Sequence, residues 1–314
     1  MTIDSRLTRA TALTMLGAAA VAPRAAAAQS ARIRIGAPAS DTFAIAFFAA
    51  DGGFYARAGL DVAVNVFPGS GPVTAAVAGG ALDVGLTDVV QLGNAFNRGI
   101  PIAAIASGGL YTPQDSTTEL CVGKNSTIRT AKDFEGKTIG VITLASISAV
   151  AVRAWLTQHG ADPKNVKLVE MPFAEMAPAI ARGTVDGAYF AEPVLSQVLP
   201  ELRIVASPYD AIGRRFLISL WFSNRGWIAN NRDVARRLVR AVYDASRWAN
   251  EHRDLTLPIL EKYAKLDPDK TGGMRRARYA TDLDPRLLQP VLDVAAAYHA
   301  IEKPVPATAV IAQL

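Results

Sequence analysis

The chain has 314 residues, half of them hydrophobic and 19% charged, with a formal net charge of +5, one cysteine and three histidines. That hydrophobic share excludes general disorder, and a single cysteine excludes a disulfide framework or a multi-cysteine metal site. Three scattered histidines argue equally against a histidine-held metal, and the 7% of aromatic residues show no clustering that would stack nucleic-acid bases.

The most apolar stretch, Thr11 to Ala28, follows Arg6 and Arg9 and is broken by Pro23 and Arg24. Its apolar core is shorter than the roughly 20 residues that span a bilayer. A basic start, a short apolar core and an Ala-x-Ala ending describe a cleaved export signal, with cleavage expected near Ala28 and a periplasmic mature chain. Ser5-Arg6-Leu7-Thr8-Arg9 resembles a twin-arginine signal with its pair split, which leaves both general and twin-arginine export open. No cysteine follows, so no lipid anchor is expected. Removing residues 1–28 takes away three arginines and one aspartate, and the formal charge falls from +5 to +3. A nucleic-acid partner loses most of its support with it.

Beyond the signal, strands and helices alternate. Ile33 to Gly36 reads as a strand, Phe43 to Arg57 as a helix stopped by Gly59, and Asp61 to Phe67 as a second strand. Pro68-Gly69-Ser70-Gly71-Pro72 turns into a helix over Val73 to Ala78. Val84 to Thr87 is a third strand, Val89 to Asn97 a helix, and Ile100 to Ser107 an apolar strand. A second series follows: strands at 119–122 and 138–142, a helix from Ile147 to His159, strands at 166–171 and 187–190 around a helix from Met176 to Arg182, then strands at 204–206 and 216–222. Val234, Leu238, Val242, Ala245 and Trp248 fall on one face of a long helix. Continuous apolar strands between helices indicate parallel sheets covered on both faces.

The two series echo one another. Gly80-Ala81-Leu82-Asp83-Val84-Gly85 and Gly183-Thr184-Val185-Asp186-Gly187-Ala188 carry the same Gly-x-x-Asp turn, 103 residues apart, each after an Ala-rich helix. Two similar α/β units facing one another would enclose a cleft near the carboxyl ends of their strands.

With Gly53-Phe54-Tyr55-Ala56-Arg57-Ala58-Gly59-Leu60-Asp61-Val62, Lys132 to Val141 and Glu192-Pro193, these turns form a series that resembles the substrate-binding proteins of ABC importers. The branch it resembles takes sulfonates, nitrate, taurine and thiamine-pyrimidine precursors. The resemblance implies a type II periplasmic-binding fold: two Rossmann-like lobes with a ligand cleft between them, one of 31–115 plus 226–314 and the other of 116–225. It implies a small-molecule ligand, an ABC permease with its ATPase as partners, a monomer, and no cofactor or catalysis. The alternatives on the same fold are a pyrimidine-precursor synthase-like enzyme and an exported sensor for a histidine kinase.

Position along the chain nominates the ligand-binding residues. Ser40, Asp41 and Thr42 follow the first strand, where each could equally cap the next helix. Gly69, Ser70 and Gly71 offer bare amides at a helix start. Thr87 and Asp88 end the third strand, and Ser107 and Gly108 the fourth. Thr143, Ala145 and Ser146 lead into the helix at Ile147, and Glu192 borders the cleft in the resembling family or else caps a helix start. Asp41, Asp88 and Glu192 beside an anion would cost binding energy, so some must turn away or the ligand must carry a donor end.

Other motifs carry less. Gly136-Lys137-Thr138 lacks the first glycine of a P-loop and precedes a strand. Cys121 lies in an apolar strand, Trp221 and Trp227 read as core, Arg214-Arg215 as a solvated or permease-facing pair that could also contact an anion across the cleft, and the arginines of 232–240 as a solvated face. His159, His252 and His299 have no nucleophile or metal partner near them in sequence.

Overall fold

The computed structural model describes residues 32–314; the expected export signal lies outside the described residues. Among them, no helix is long and apolar enough to cross a membrane.

Two five-stranded sheets share one plan. Strands β1 (Ile33–Pro38), β2 (Val62–Phe67), β3 (Val84–Asp88) and β4 (Ile102–Ser107) build the first. After the short β5 (Gly109–Tyr111), strands β6 (Thr118–Gly123), β7 (Thr138–Val141), β8 (Lys167–Glu170), β9 (Gly187–Ala191) and β10 (Leu202–Ala206) build the second. The chain then returns through β11 (Phe216–Leu217) and β12 (Ser219–Asn224), and β13 (Arg278–Tyr279) comes late. The orders are β2-β1-β3-β12-β4 and β8-β7-β9-β6-β10, each with one antiparallel strand in fourth place. In the first sheet that strand is β12, which returns from the second sheet; in the second it is β6, which arrives from the first.

The Gly-x-x-Asp turns explain why the echo is structural. Gly80 and Gly183 take φ of 77° and 70°, left-handed values that a side chain disfavours. The aspartates that follow face β1 and β7, the strands next to β3 and β9 in their sheets. Asp83 Oδ2 accepts from Arg34 N–H at 2.8 Å, and Asp186 Oδ2 accepts from Thr138 N–H at 2.8 Å. Each turn thus ends a helix and ties the start of β3 or β9 to the start of its neighbour β1 or β7.

Every residue of β3 and all of β4 are buried, as parallel strands covered on both faces require, whereas edge strands β2 and β8 stay half-exposed. Helix Ser70–Ala78 packs so closely on β3 that a Cβ on Gly85 would lie 2.4 Å from Val73 Cγ1. Helix Arg232–Glu251 buries Leu238, Ala241, Val242 and Ala245 against the first sheet's other face and leaves Arg236 and Arg240 exposed. Trp221 and Cys121 are fully buried, and Trp227 is half-buried against the same core.

Several boundaries differ from expectation. The expected helix 43–57 breaks at Gly52-Gly53, where Gly53 takes a φ of 72°, into Ile45–Asp51 and Phe54–Arg57. The helix expected from Val73 starts at Ser70, because Pro72 fits a first turn that lacks hydrogen-bond acceptors for its N–H groups. The expected strand 216–222 divides, and Ser219–Asn224 lies in the first sheet between β3 and β4. The return crossing therefore precedes residue 219, and a boundary at 225 is too late: Trp221 and Phe222 are core residues of the first sheet. The two crossings also pair with each other, Phe216 with Tyr111 and Leu217 with Leu110, with β13 on the other side of β5.

Candidate functional site

A cavity of about 580 Å³ opens between the two sheets. Its walls come from the carboxyl ends of six parallel strands: Pro38 to Ser40 after β1, Phe67 to Pro72 after β2, Asp88 at the end of β3, Ile142 and Thr143 after β7, Glu170 to Phe173 after β8, and Ala191 at the end of β9. Small molecules bind at this edge of α/β sheets, since loops leave room there and helices start there. The lining is largely apolar. Phe43 and Phe67 from one side and Phe173, Tyr189 and Tyr209 from the other supply the broad surfaces. Among the described residues that line it there is no lysine, arginine, histidine or cysteine, and the two charged ones are Asp88 and Glu170.

Asp88 is the polar centre. It caps helix Val89–Asn97, accepting from Gln91 N–H at 3.0 Å, and Ser70 Oγ at the start of helix Ser70–Ala78 donates to it at 2.7 Å. The N–H groups of Val90 and of Ile147, the first residue of helix Ile147–Gln158, also favour its charged form. Burial outweighs these donors and pushes its carboxyl up to about 6. Glu170 differs: it accepts from Thr143 Oγ1 at 2.7 Å and Leu144 N–H at 2.6 Å, and these bonds hold its carboxyl below the usual range.

Of the residues nominated from sequence, the structure brings Ser40, Thr42, Gly69, Ser70, Gly71, Asp88, Thr143 and Ser146 to the cavity wall. Six others stand off it. Asp41 is fully buried and paired with Arg276, with Nη2 at 3.1 Å, and it also accepts from Ala277 N–H at 2.5 Å. Glu192 caps the next helix start, accepting from Ser196 N–H at 3.0 Å and Ser196 Oγ at 2.7 Å, with Arg275 N–H at 3.3 Å. Thr87 shares a hydrogen bond with Thr74 behind the wall, at 2.8 Å between hydroxyls. Ser107 is fully buried at the end of β4, where its N–H donates to Tyr243 Oη at 3.3 Å. Gly108 packs on β12, where a Cβ would lie 2.5 Å from Ser219 Oγ. Ala145 turns its carbonyl to Gln91 Nε2 at 2.8 Å, a bond that links the two sheets' loops. Of the three carboxylates that posed an electrostatic problem for an anionic ligand, two therefore point away.

The sequence reading missed the aromatic and hydroxyl wall. Tyr189 and Thr118 line the cavity, are 2% and 3% exposed, and their hydroxyls have no hydrogen-bond partner among the described residues. The echo held a usable signal: 103 residues after Asp88 stands Ala191, also on the wall. Arg275, too, was unforeseen. Its guanidinium pairs with Glu119 at 2.5 Å while Arg276 pairs with Asp41, so one short segment bonds groups from both sheets.

Two sheets with a shared strand order and a cleft at their carboxyl edges define the fold of the periplasmic binding proteins of ABC importers. Residues 40–255 match the family described as NMT1/THI5 like, and the chain belongs to that family. A 4-amino-5-hydroxymethyl-2-methylpyrimidine phosphate synthase from Schizosaccharomyces pombe is 24% identical over 213 residues, 64% of this chain and 60% of that protein, so the chain spans about three-fifths of that relative. The taurine-binding periplasmic protein of Escherichia coli is 24% identical over 219 residues, 69% of this chain and 66% of that protein. The alkanesulfonate-binding protein SsuA of Xanthomonas axonopodis pv. citri, solved with MOPS bound, superposes with a TM-score of 0.76 at 18% identity, covering 92% of this chain and 100% of that one.

Proposed function

We propose that this chain is an extracytoplasmic receptor that captures a small organic molecule between its two sheets and delivers it to the permease of an ABC importer. The observation that carries the reading is the cavity itself, built from strand ends of both sheets. A ligand touching both walls stabilises the arrangement in which they approach, so binding reports as closure. The two paired crossings at β5 and β11 are where such a motion would hinge. The kinship with a taurine-binding protein supports this role, and an exported chain would meet the permease outside the cytoplasm.

The synthase relative favours a second reading, an enzyme on the same fold. Against it stands the chemistry of the wall, which among the described residues carries no lysine, histidine or cysteine. The one cysteine, Cys121, sits in the core of β6 with its thiol pushed up by burial to about 12, which leaves it protonated and unreactive.

A thermal-shift screen of taurine, alkanesulfonates, nitrate, aminopyrimidines and small amines tests the receptor role, because a ligand raises the melting temperature by its binding free energy. The control is Gly69→Trp. Gly69 lines the cavity with an extended backbone, and a Cβ there meets nothing within 4 Å, so a bulky side chain is accommodated at the cavity mouth without disturbing the fold. Stabilisation of the natural chain that Gly69→Trp abolishes supports the reading. Equal stabilisation of both contradicts it.

A further inference from the structure

Several features of the cavity converge on one carboxylate. Three helices begin beside Asp88: Ser70–Ala78, Val89–Asn97 and Ile147–Gln158. Converging helix starts are a place for an anion, since their free N–H groups and dipoles favour negative charge. Here the chain supplies that anion itself. Ser70 Oγ and Gln91 N–H donate to Asp88, and the Ile147 N–H faces it from the other sheet. A ligand sulfonate or nitrate arriving at this point would find its donors engaged and a buried carboxylate in its place.

The remaining wall agrees. Glu170 adds a second negative charge and holds it through bonds from Thr143 and Leu144. The exposed Arg275 and the largely buried Arg276 are committed to Glu119 and Asp41 and do not line the cavity. Two further groups lie on the wall: the hydroxyls of Tyr189 and Thr118, both more than nine-tenths buried, approach one another and that of Tyr209 without closing a well-formed hydrogen bond. An unpaired buried hydroxyl is costly, so its presence on a cavity wall points to an occupant that completes it.

We infer that the site takes a ligand with a cationic or hydrogen-bond-donating nitrogen, seated on Asp88, and an apolar, flat body held between the aromatic walls, and that it rejects simple anions. This rests on the receptor reading and sharpens it, because it sets the ligand apart from the alkanesulfonates for which the SsuA protein of Xanthomonas is named. The rejection of anions is electrostatic: bringing a negative group beside two carboxylates, with no basic residue among the described residues that line the cavity, loses binding energy, whereas an ammonium or amino group is drawn to Asp88.

The test uses three probes with one body and different heads: 2-phenylethylamine, 2-phenylethanol and 2-phenylethanesulfonate, titrated calorimetrically into the mature chain at neutral pH. The expected order is amine tightest and sulfonate weakest. Asp88→Asn keeps the helix cap, since asparagine caps as well as aspartate, and should weaken the amine by about tenfold to a hundredfold, as loss of a charge-assisted hydrogen bond does. Tyr189→Phe removes a hydroxyl with no well-formed bond in the free chain, so it should change the melting temperature little while weakening the alcohol and the amine. A sulfonate that binds more tightly than the amine, amine binding indifferent to Asp88→Asn, or no binding by any of the three overturns the inference. The receptor reading is decided separately by the Gly69→Trp control in the broader screen, so either can fail without the other.

Discussion

Asp41 offers a sharp test because sequence position nominates it as a ligand group and the structure makes it an anchor. It accepts from Arg276 at 3.1 Å and from Ala277 N–H at 2.5 Å, while its own carbonyl accepts from Tyr279 Oη. The side chains of Asp41 and Arg276 are 1% and 9% exposed. Asp41→Ala would leave the buried Arg276 guanidinium without a counter-charge, bonded to the Arg253 carbonyl at 2.6 Å, and the Ala277 N–H without its acceptor. Breaking such a pair costs about 3–5 kcal/mol, which lowers the melting temperature of a chain this size by about 5–8 °C. Differential scanning calorimetry measures this, with and without ligand. The reasoning requires a large loss of stability and, below the new transition, ligand affinity within a few-fold of the natural chain. A variant that melts like the natural chain yet no longer binds ligand would show that Asp41 is a ligand group after all.

The pH dependence of stability should carry a signature of Asp88. Its carboxyl rises from 3.8 when unfolded to about 6 in the fold, so the native state holds the proton more tightly. Its contribution is fully present below about pH 4 and is lost as pH rises through 6, about 3 kcal/mol in all. Urea unfolding of the natural chain and Asp88→Asn across that range should show the difference growing toward higher pH; a flat difference contradicts the burial argument. Asp83→Ala and Asp186→Ala should each cost about 1–3 kcal/mol by leaving a strand N–H unsatisfied, Asp83→Ala more because Asp83 also pairs with the Arg34 guanidinium at 2.8 Å. Chemical denaturation of the double variant should be additive, since the turns serve different sheets. Gly108→Ala should destabilise by about 1–3 kcal/mol through its clash with Ser219, with ligand affinity little changed by calorimetry.

Much of the fold was legible because its signals are local. Continuous apolar strands, Ala-rich helices and paired Gly-x-x-Asp turns each depend on a few adjacent residues, and the helix Val89 to Asn97 has the bounds its pattern gives. The lobe boundary was less so. Strand Ser219–Asn224 follows the second sheet in sequence but pairs with the first, a choice made by tertiary contacts that no local pattern records. The site was legible by half for a similar reason. A residue after a strand is placed near the cleft by topology, which located Ser40, Thr42, Gly69, Ser70, Gly71, Asp88, Thr143 and Ser146. Which way a carboxylate turns depends on distant partners. Arg276 draws Asp41 inward from more than two hundred residues away, and Ser196 holds Glu192 on its own helix start. Tyr189 and Thr118 sit inside strands, and only the packing of the second sheet shows that their hydroxyls meet the cavity.

The central claim is that the cleft holds a small molecule and releases it unchanged. Native mass spectrometry of the mature chain after incubation with a mixture of amines, sulfonates and aminopyrimidines tests it most directly. The account predicts one ligand per chain in the natural protein, none in Gly69→Trp, and a released molecule of the same mass that entered. Recovery of a chemically altered molecule, or equal occupancy in Gly69→Trp, would contradict it.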